Sequence, residues 1–113
     1  MIKRVALVRR RPDMTAEQFW AHYTGPHAAI VKRMPGLRQM VLSRAVEDQV
    51  TEWDAVGELW FDSTTAVKRA FEEEASTSAF GGDEQILAEL RADRSLFLGA
   101  SEVVIVDEEI RWP

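Results

Sequence analysis

Residues 19–37, Phe19-Trp20-Ala21-His22-Tyr23-Thr24-Gly25-Pro26-His27-Ala28-Ala29-Ile30-Val31-Lys32-Arg33-Met34-Pro35-Gly36-Leu37, decide how this chain reads. Phe19, Tyr23, His27, Ile30 and Met34 recur at steps of three and four, so one helix face is apolar except for an imidazole. Thr15, with Gln18 three residues on, supplies a capping box that satisfies orphan N–H groups at the helix start. Pro35-Gly36 ends the element. Gly25-Pro26 interrupts it, because a proline removes one donor and clashes with the carbonyl four residues back. A kink or short restart is expected there.

On either side of this helix the pattern changes to that of strands. Residues 2–8 alternate loosely and are rich in β-branched and apolar side chains, and Pro12-Asp13-Met14 makes a turn before the helix. Residues 37–46 form a second strand, followed by an acidic polar loop over 47–52. In the third strand, 53–61, Ala55, Gly57, Leu59 and Phe61 share one face, and Asp54, Val56, Glu58 and Trp60 the other. Asp62-Ser63 caps a second helix reaching about residue 75, with Val67, Ala70 and Phe71 inward. A small-residue break over 76–82 precedes Asp83, which caps a helical segment striped by Ile86, Leu87 and Leu90. Residues 102–110 make the last strand.

The order β-α-β-β-α-β is the ferredoxin-like arrangement of the α+β class, here a single domain over 1–113. Helices cover only one face of a four-stranded antiparallel sheet, yet the strands carry large apolar groups on both. The other face would be a larger apolar patch than monomers usually expose, so a homodimer is expected to bury it. Ile110-Arg111-Trp112-Pro113 either reaches onto that partner or folds back on its own subunit.

Composition narrows the function. Of 113 residues, 46% are apolar and 29% charged, as in an ordinary globular protein. A net charge of −5 argues against nucleic acid as a partner. The basic run Arg9-Arg10-Arg11 reads as a solvated strand end or a contact with an anion. With no cysteine there is no thiolate nucleophile and no Cys-based metal site. The N-terminus does not read as a signal peptide, and no apolar run approaches the roughly 20 residues needed to span a bilayer. A cytoplasmic protein with no membrane partner is the expectation.

His27 is the first candidate for chemistry, since an imidazole titrates near neutral pH and can take and return a proton. Its alternative role is structural, bonding a backbone group freed by Pro26. His22 falls on the flank of a regular helix, roughly 110° from the stripe, and reads as a surface or packing residue. Five residues apart, the two histidines do not share a helix face, so no metal site is expected. Asp54 and Glu58 could orient His27 or act as general bases. Alternatively, Asp54 sits in solvent at a strand end and Glu58 pairs with Arg38 or Arg44. Tyr23 could donate its hydroxyl to a substrate oxygen. No Gly-rich phosphate loop, nucleophile elbow or zincin motif is present, and Gly81-Gly82 reads as a loop.

Several of these residues together resemble the EthD domain family of dimeric α/β barrels. They are Met14-Thr15-Ala16-Glu17-Gln18-Phe19, Tyr23 with His27, Met34-Pro35-Gly36-Leu37-Arg38, and Asp54 with Glu58-Leu59-Trp60-Phe61-Asp62. Through that family the chain resembles methylmuconolactone isomerases and, more distantly, small polyketide cyclases and cofactor-free monooxygenases. The resemblance implies a dimer with one pocket per subunit and acid–base chemistry on a small molecule. His27 matches the family's recurrent histidine, and Asp54 and Trp60 fall on its third-strand motif. Tyr23 stands where a tryptophan is common, Met40 where a tyrosine is common, and Glu52-Trp53-Asp54 where the isomerases carry a second histidine.

The resulting expectation is a cofactor-independent isomerase, dehydratase or cyclase acting on a small cyclic or aromatic-derived substrate. His27, Asp54 and Glu58 would be its catalytic residues, with Phe19, Tyr23, Met40 and Trp60 around the pocket and no metal. A cofactor-free monooxygenase is the first alternative. A non-catalytic binding or accessory protein is the second, under which both His27 nitrogens should bond backbone with no cavity beside the ring.

Overall fold

The computed structural model describes residues 1–71 and 84–113. Its elements run β1 (Ile2–Arg10), α1 (Ala16–His22), a π-helical turn (Tyr23–His27), α2 (Ala28–Val31), β2 (Gln39–Arg44), β3 (Ala55–Phe61), α3 (Thr64–Phe71), α4 (Glu84–Phe97) and β4 (Leu98–Asp107). The end of the second helix, the break over 76–82, Gly81-Gly82 and the Asp83 cap lie outside the described residues.

The four strands form one antiparallel sheet in the order β2-β3-β1-β4, the ferredoxin-like topology expected from the sequence. Register fixes which residues share a face. Ala6 stands opposite Gly57 on one side and Val103 on the other, and Arg4 opposite Leu59 and Ile105. Directly opposed residues point the same way, so Arg4, Ala6, Val8, Gly57, Leu59, Phe61, Ser101 and Val103 all face the helices. Lys3, Val5, Leu7, Glu58, Trp60 and Val104 face away.

The helices close over the inner face in two clusters. Leu59, Phe61, Val31, Met34, Val67, Ala70, Leu87 and Leu90 pack at one end. Ala6, Val8, Phe19, Tyr23, Ala55 and Phe97 pack at the other. Thr15 and Gln18 make the expected capping box. The Ser63 hydroxyl accepts from the Ala66 N–H at 3.1 Å and so caps α3.

Two differences from the sequence reading matter. The Gly-Pro break takes the form of a single π-helical turn containing Pro26. The extra residue shifts the buried stripe, which steps from Tyr23 to Ala28, Val31 and Met34, leaving Ile30 only partly buried. In addition, β4 begins directly after α4, at Leu98 rather than near residue 102. There Gly99 lies against the Arg10 carbonyl so closely that a Cβ would overlap it, at the point where the β1–β4 register shifts.

The outer face is apolar as expected. Val5, Leu7, Val41 and Val56 stand half-buried on it, and Val104 is 54% exposed. Ile110 and Trp112 are 90% and 92% exposed, so the C-terminal segment does not fold back onto its own subunit. Among the described residues, no helix is long and apolar enough to cross a membrane.

Candidate functional site

Between the helices and the inner sheet face lies a cavity of about 150 Å3. Ala6, Val8, Met40, Leu42 and Leu59 give it an apolar wall on the sheet side, with Phe71, Leu90 and Phe97 contributed by helices. Engineered apolar cavities of about this volume hold a benzene ring. Five polar side chains line it: Tyr23, His27, Arg4, Arg94 and Ser101.

The His27 ring is stacked on Tyr23, with centroids 5.3 Å apart and planes 15° apart, and lies 4.8 Å from the Phe97 ring. These contacts fix its plane. Its Nδ1 is 3.0 Å from Asp93 Oδ2, on α4. An ionised carboxylate only accepts, so Nδ1–H donates to it and Nε2 keeps the lone pair. No buried side-chain nitrogen or oxygen among the described residues lacks a partner. Nε2 is therefore open rather than sealed in the core. Burial pushes the His27 pKa below its ordinary 6.5, and the nearby charges of Arg94 and His22 push the same way against the bond to Asp93. The imidazole is thereby kept neutral and able to accept a proton.

The second oxygen of Asp93, Oδ1, is 2.7 Å from His22 Nε2. Asp93 is 7% exposed, and both of its oxygens are taken by imidazoles. A regular α-helix would carry His22 and His27 to different faces. The π-turn, whose bonds run from i to i+5, takes an extra residue to go round and brings both rings towards one carboxylate. The Gly-Pro break thus assembles the cluster, and π-turns of this kind often occur at functional sites.

Tyr23 presents a hydroxyl to the cavity from directly above Gly57, where a Cβ would overlap it. Only glycine allows this approach. Burial raises the Tyr23 pKa to about 12, with Arg4 acting in the opposite sense, so the phenol stays protonated as a donor.

The other residues expected at the site stand elsewhere. Phe19 is 1% exposed and stacks on Tyr23 from behind, 5.4 Å between centroids, without lining the cavity. Asp54 is at the mouth of β3, where Oδ2 accepts from the Arg10 N–H at 2.8 Å and its own N–H donates to the Val8 carbonyl at 2.8 Å. Glu58 is on the outer face and pairs with Lys3 at 2.9 Å, not with Arg38 or Arg44. Trp60 shares that face, its Nε1–H donating to Glu108 at 3.2 Å. Neither Asp54 nor Glu58 orients His27. Asp93 does, and His22, assigned to the surface, joins it. Asp93 has a sequence signal: with Arg94 it follows Ile86, Leu87 and Leu90 on the buried side of α4, with Phe97 beyond, as a charged residue on an apolar stripe.

Among the described residues, no group of three or more His, Cys, Asp or Glu side chains is placed to hold a metal ion.

The EthD domain matches residues 11–91 of the chain. An EthD family protein from Bacillus halodurans c-125 superposes with a TM-score of 0.71 at 22% identity, covering 96% of this chain and 99% of that one. SnoaB from Streptomyces nogalater, a cofactor-independent oxygenase, superposes with a TM-score of 0.63 at 17% identity, over 99% and 96%. A dimeric protein of ferredoxin-like fold from Bacteroides fragilis NCTC 9343 gives 0.63 at 13% identity, over 95% of each chain. No curated protein matches the chain. At these identities, the solved structures establish a shared fold.

Proposed function

The chain belongs to the EthD domain family, and within that fold we propose that it is an acid–base enzyme of isomerase, dehydratase or cyclase type. Its substrate is a small cyclic or aromatic-derived molecule. The observation that carries this reading is the His27 ring, bonded through Nδ1 to Asp93 while it lines a cavity the size of one ring. Nε2 removes a proton from a carbon next to a carbonyl, and the Tyr23 hydroxyl donates a hydrogen bond to the oxygen on which charge develops. His27, now imidazolium and stabilised by Asp93, returns the proton to another carbon or to a leaving oxygen. Each step conserves protons, and the residues named need no redox partner.

A purely structural His27 would bond backbone with both nitrogens and adjoin no cavity. The observed partner is a carboxylate and the cavity is present, which favours catalysis. The test is a screen of small cyclic ketones, lactones and hydroxyaromatics in D2O. Wild-type protein should catalyse carbon–deuterium exchange on at least one compound, and His27→Gln should not. Exchange undiminished in a folded His27→Gln protein would sink the assignment.

A second reading is favoured by the apolar wall and by the oxygenase chemistry of SnoaB, a protein of the same fold. Here the carbanion formed by His27 reacts with O2 without a cofactor. Oxygen uptake coupled to turnover distinguishes it; equal rates under nitrogen exclude it.

The apolar outer face around Val5, Leu7, Val56 and Val104 supports assembly as a homodimer, as in the dimeric Bacteroides fragilis protein of this fold. Sedimentation should give twice the chain mass, and Val104→Asp should halve it.

A further inference from the structure

The chain pairs its arginines with care. Arg9 meets Glu52, Arg10 meets Asp54, Arg11 meets Asp13, and Arg38 meets Asp62. Arg33 meets Glu89, Arg44 meets Glu17 and Arg111 meets Glu108. Arg69 and Arg91 also have partners. Against this background, Arg4 and Arg94 stand out. Both line the cavity, and among the described residues no carboxylate forms an ion pair with either.

Arg4 projects from the middle of β1, with its guanidinium carbon 4.1 Å from the Phe71 ring centroid, and Arg94 follows Asp93 on α4. Neither is at a loop or an edge where water would solvate it freely. A cation taken from water into an apolar wall is costly unless an anion accompanies it. Burial, with Arg94 adding to it, pulls the Arg4 pKa down to about 10, so Arg4 remains cationic at neutral pH; burial lowers Arg94 as well, and an arginine side chain keeps its charge in proteins. Asp93, the one buried carboxylate among the described residues, has both oxygens committed to His22 and His27.

We infer that the cavity is built for an anionic ligand: a single-ring molecule bearing a carboxylate, which Arg4 and Arg94 hold beside His27. This rests on the acid–base reading only for its location, and it names the substrate class for that reading. Guanidinium geometry suits a carboxylate, which each fork can meet with two parallel N–H donors. Two cations facing one anion leave a positive surplus, and that surplus suits an oxyanion developing on the same ring. Without ligand, no carboxylate among the described residues balances the two positive charges. Proteins commonly give up stability at such sites in exchange for function.

Benzoate is the probe, with benzamide as its neutral counterpart, in calorimetric or NMR titrations of the full chain. Wild-type protein should bind benzoate saturably below about 10 mM and benzamide at least about tenfold more weakly, a difference of about 1.4 kcal/mol. Arg4→Met and Arg94→Met should each weaken benzoate at least about tenfold. Each should also raise Tm, because an unbalanced buried charge has been replaced by an apolar chain of similar shape; a structural Arg4 would lower it. Should either Met variant fail to fold, Arg4→Lys and Arg94→Lys keep the charge and should retain the preference for benzoate over benzamide.

If the exchange reaction proves absent while benzoate binding depends on both arginines, the acid–base reading fails and the anion site stands. The inference is overturned by equal binding of benzamide and benzoate, by wild-type affinity in a folded Arg→Met variant, or by no saturable benzoate binding.

Discussion

Gly57 and Glu58 are neighbours on β3, yet they belong to opposite sides of the molecule with opposite rules for charge. Gly57 floors the cavity beneath the Tyr23 hydroxyl, in a wall shared with Arg4 and Arg94. Glu58 faces outward, its carboxylate held by Lys3, which also approaches Glu108 at 3.8 Å. On the outer side, cation and anion answer each other within the chain, which is what structure alone requires. On the inner side, one carboxylate serves two imidazoles, and among the described residues no carboxylate pairs with the two guanidiniums. A charge the fold leaves unbalanced is the better guide to function, because its compensation must come from outside.

The sharpest way to break this comparison is to attack the two sides separately. On the inner side, His27→Gln should lower kcat/KM on the exchange substrate by about 10²–10⁴-fold, the usual range for a positioned base. Asp93→Asn should lose activity on the same scale, because an amide no longer fixes the tautomer that exposes the Nε2 lone pair. If Asp93→Asn were fully active, the carboxylate would be a packing device and the cluster no dyad.

A smaller effect is expected from the cavity floor. Gly57→Ala puts a methyl group where the Tyr23 oxygen stands, so the ring must move or the strand must bend. Overpacking of this kind costs about 1–3 kcal/mol, to be read from denaturant unfolding. Val56→Ala, one residue away on the outer side, should leave the cavity intact and benzoate affinity unchanged. Equal stability of Gly57→Ala and wild type would mean that Tyr23 is not held over the strand.

The pH dependence sharpens the assignment of the base. Folding lowers the His27 pKa from 6.5, chiefly through burial. Between the folded value and 6.5, the unfolded chain binds more protons, so this contribution to stability is complete above about pH 6.5 and falls as pH drops towards the folded value. The difference in Tm between wild type and His27→Gln should therefore move against wild type on acidification. In the same window kcat/KM should fall with pH, its midpoint below 6.5. A midpoint above that value would mean that Asp93 outweighs burial and that the folded ring holds its proton more tightly than a free one.

How much of this was written legibly in the chain depends on distance along it. The capping box at Thr15 and Gln18, the two faces of β3 and the strand-helix order all rest on neighbours within a few residues, and all are found. The partner of His27 lies 66 residues away on α4, and periodicity on α1 carries no information about it. Asp54 and Glu58 share a strand face, but a strand has two faces and theirs is turned away from the ring. His22 differs for another reason: a regular helical rotation through Gly25-Pro26 puts it on the flank, whereas the backbone makes a π-turn there. The signal that remained readable was Asp93-Arg94 beside Leu90 and Phe97, two charges on a stripe that otherwise faces inward.

The smallest effect is expected on the outer side. Lys3 and Glu58 are about a fifth and a quarter exposed at their side chains, and water shares in their charges. Glu58→Gln should therefore cost no more than about 1 kcal/mol, and an inner-face reaction should proceed unchanged, since the residue lies across the sheet from His27. Lys3 would still approach Glu108 and lie over the Trp60 ring, 5.2 Å from its centroid, which limits the loss further. The measurement that matters is turnover rather than stability. If Glu58→Gln reduced kcat/KM as strongly as His27→Gln, the division between the two faces would fail, and the chemistry would have to run through the outer face or through its contact with a second subunit.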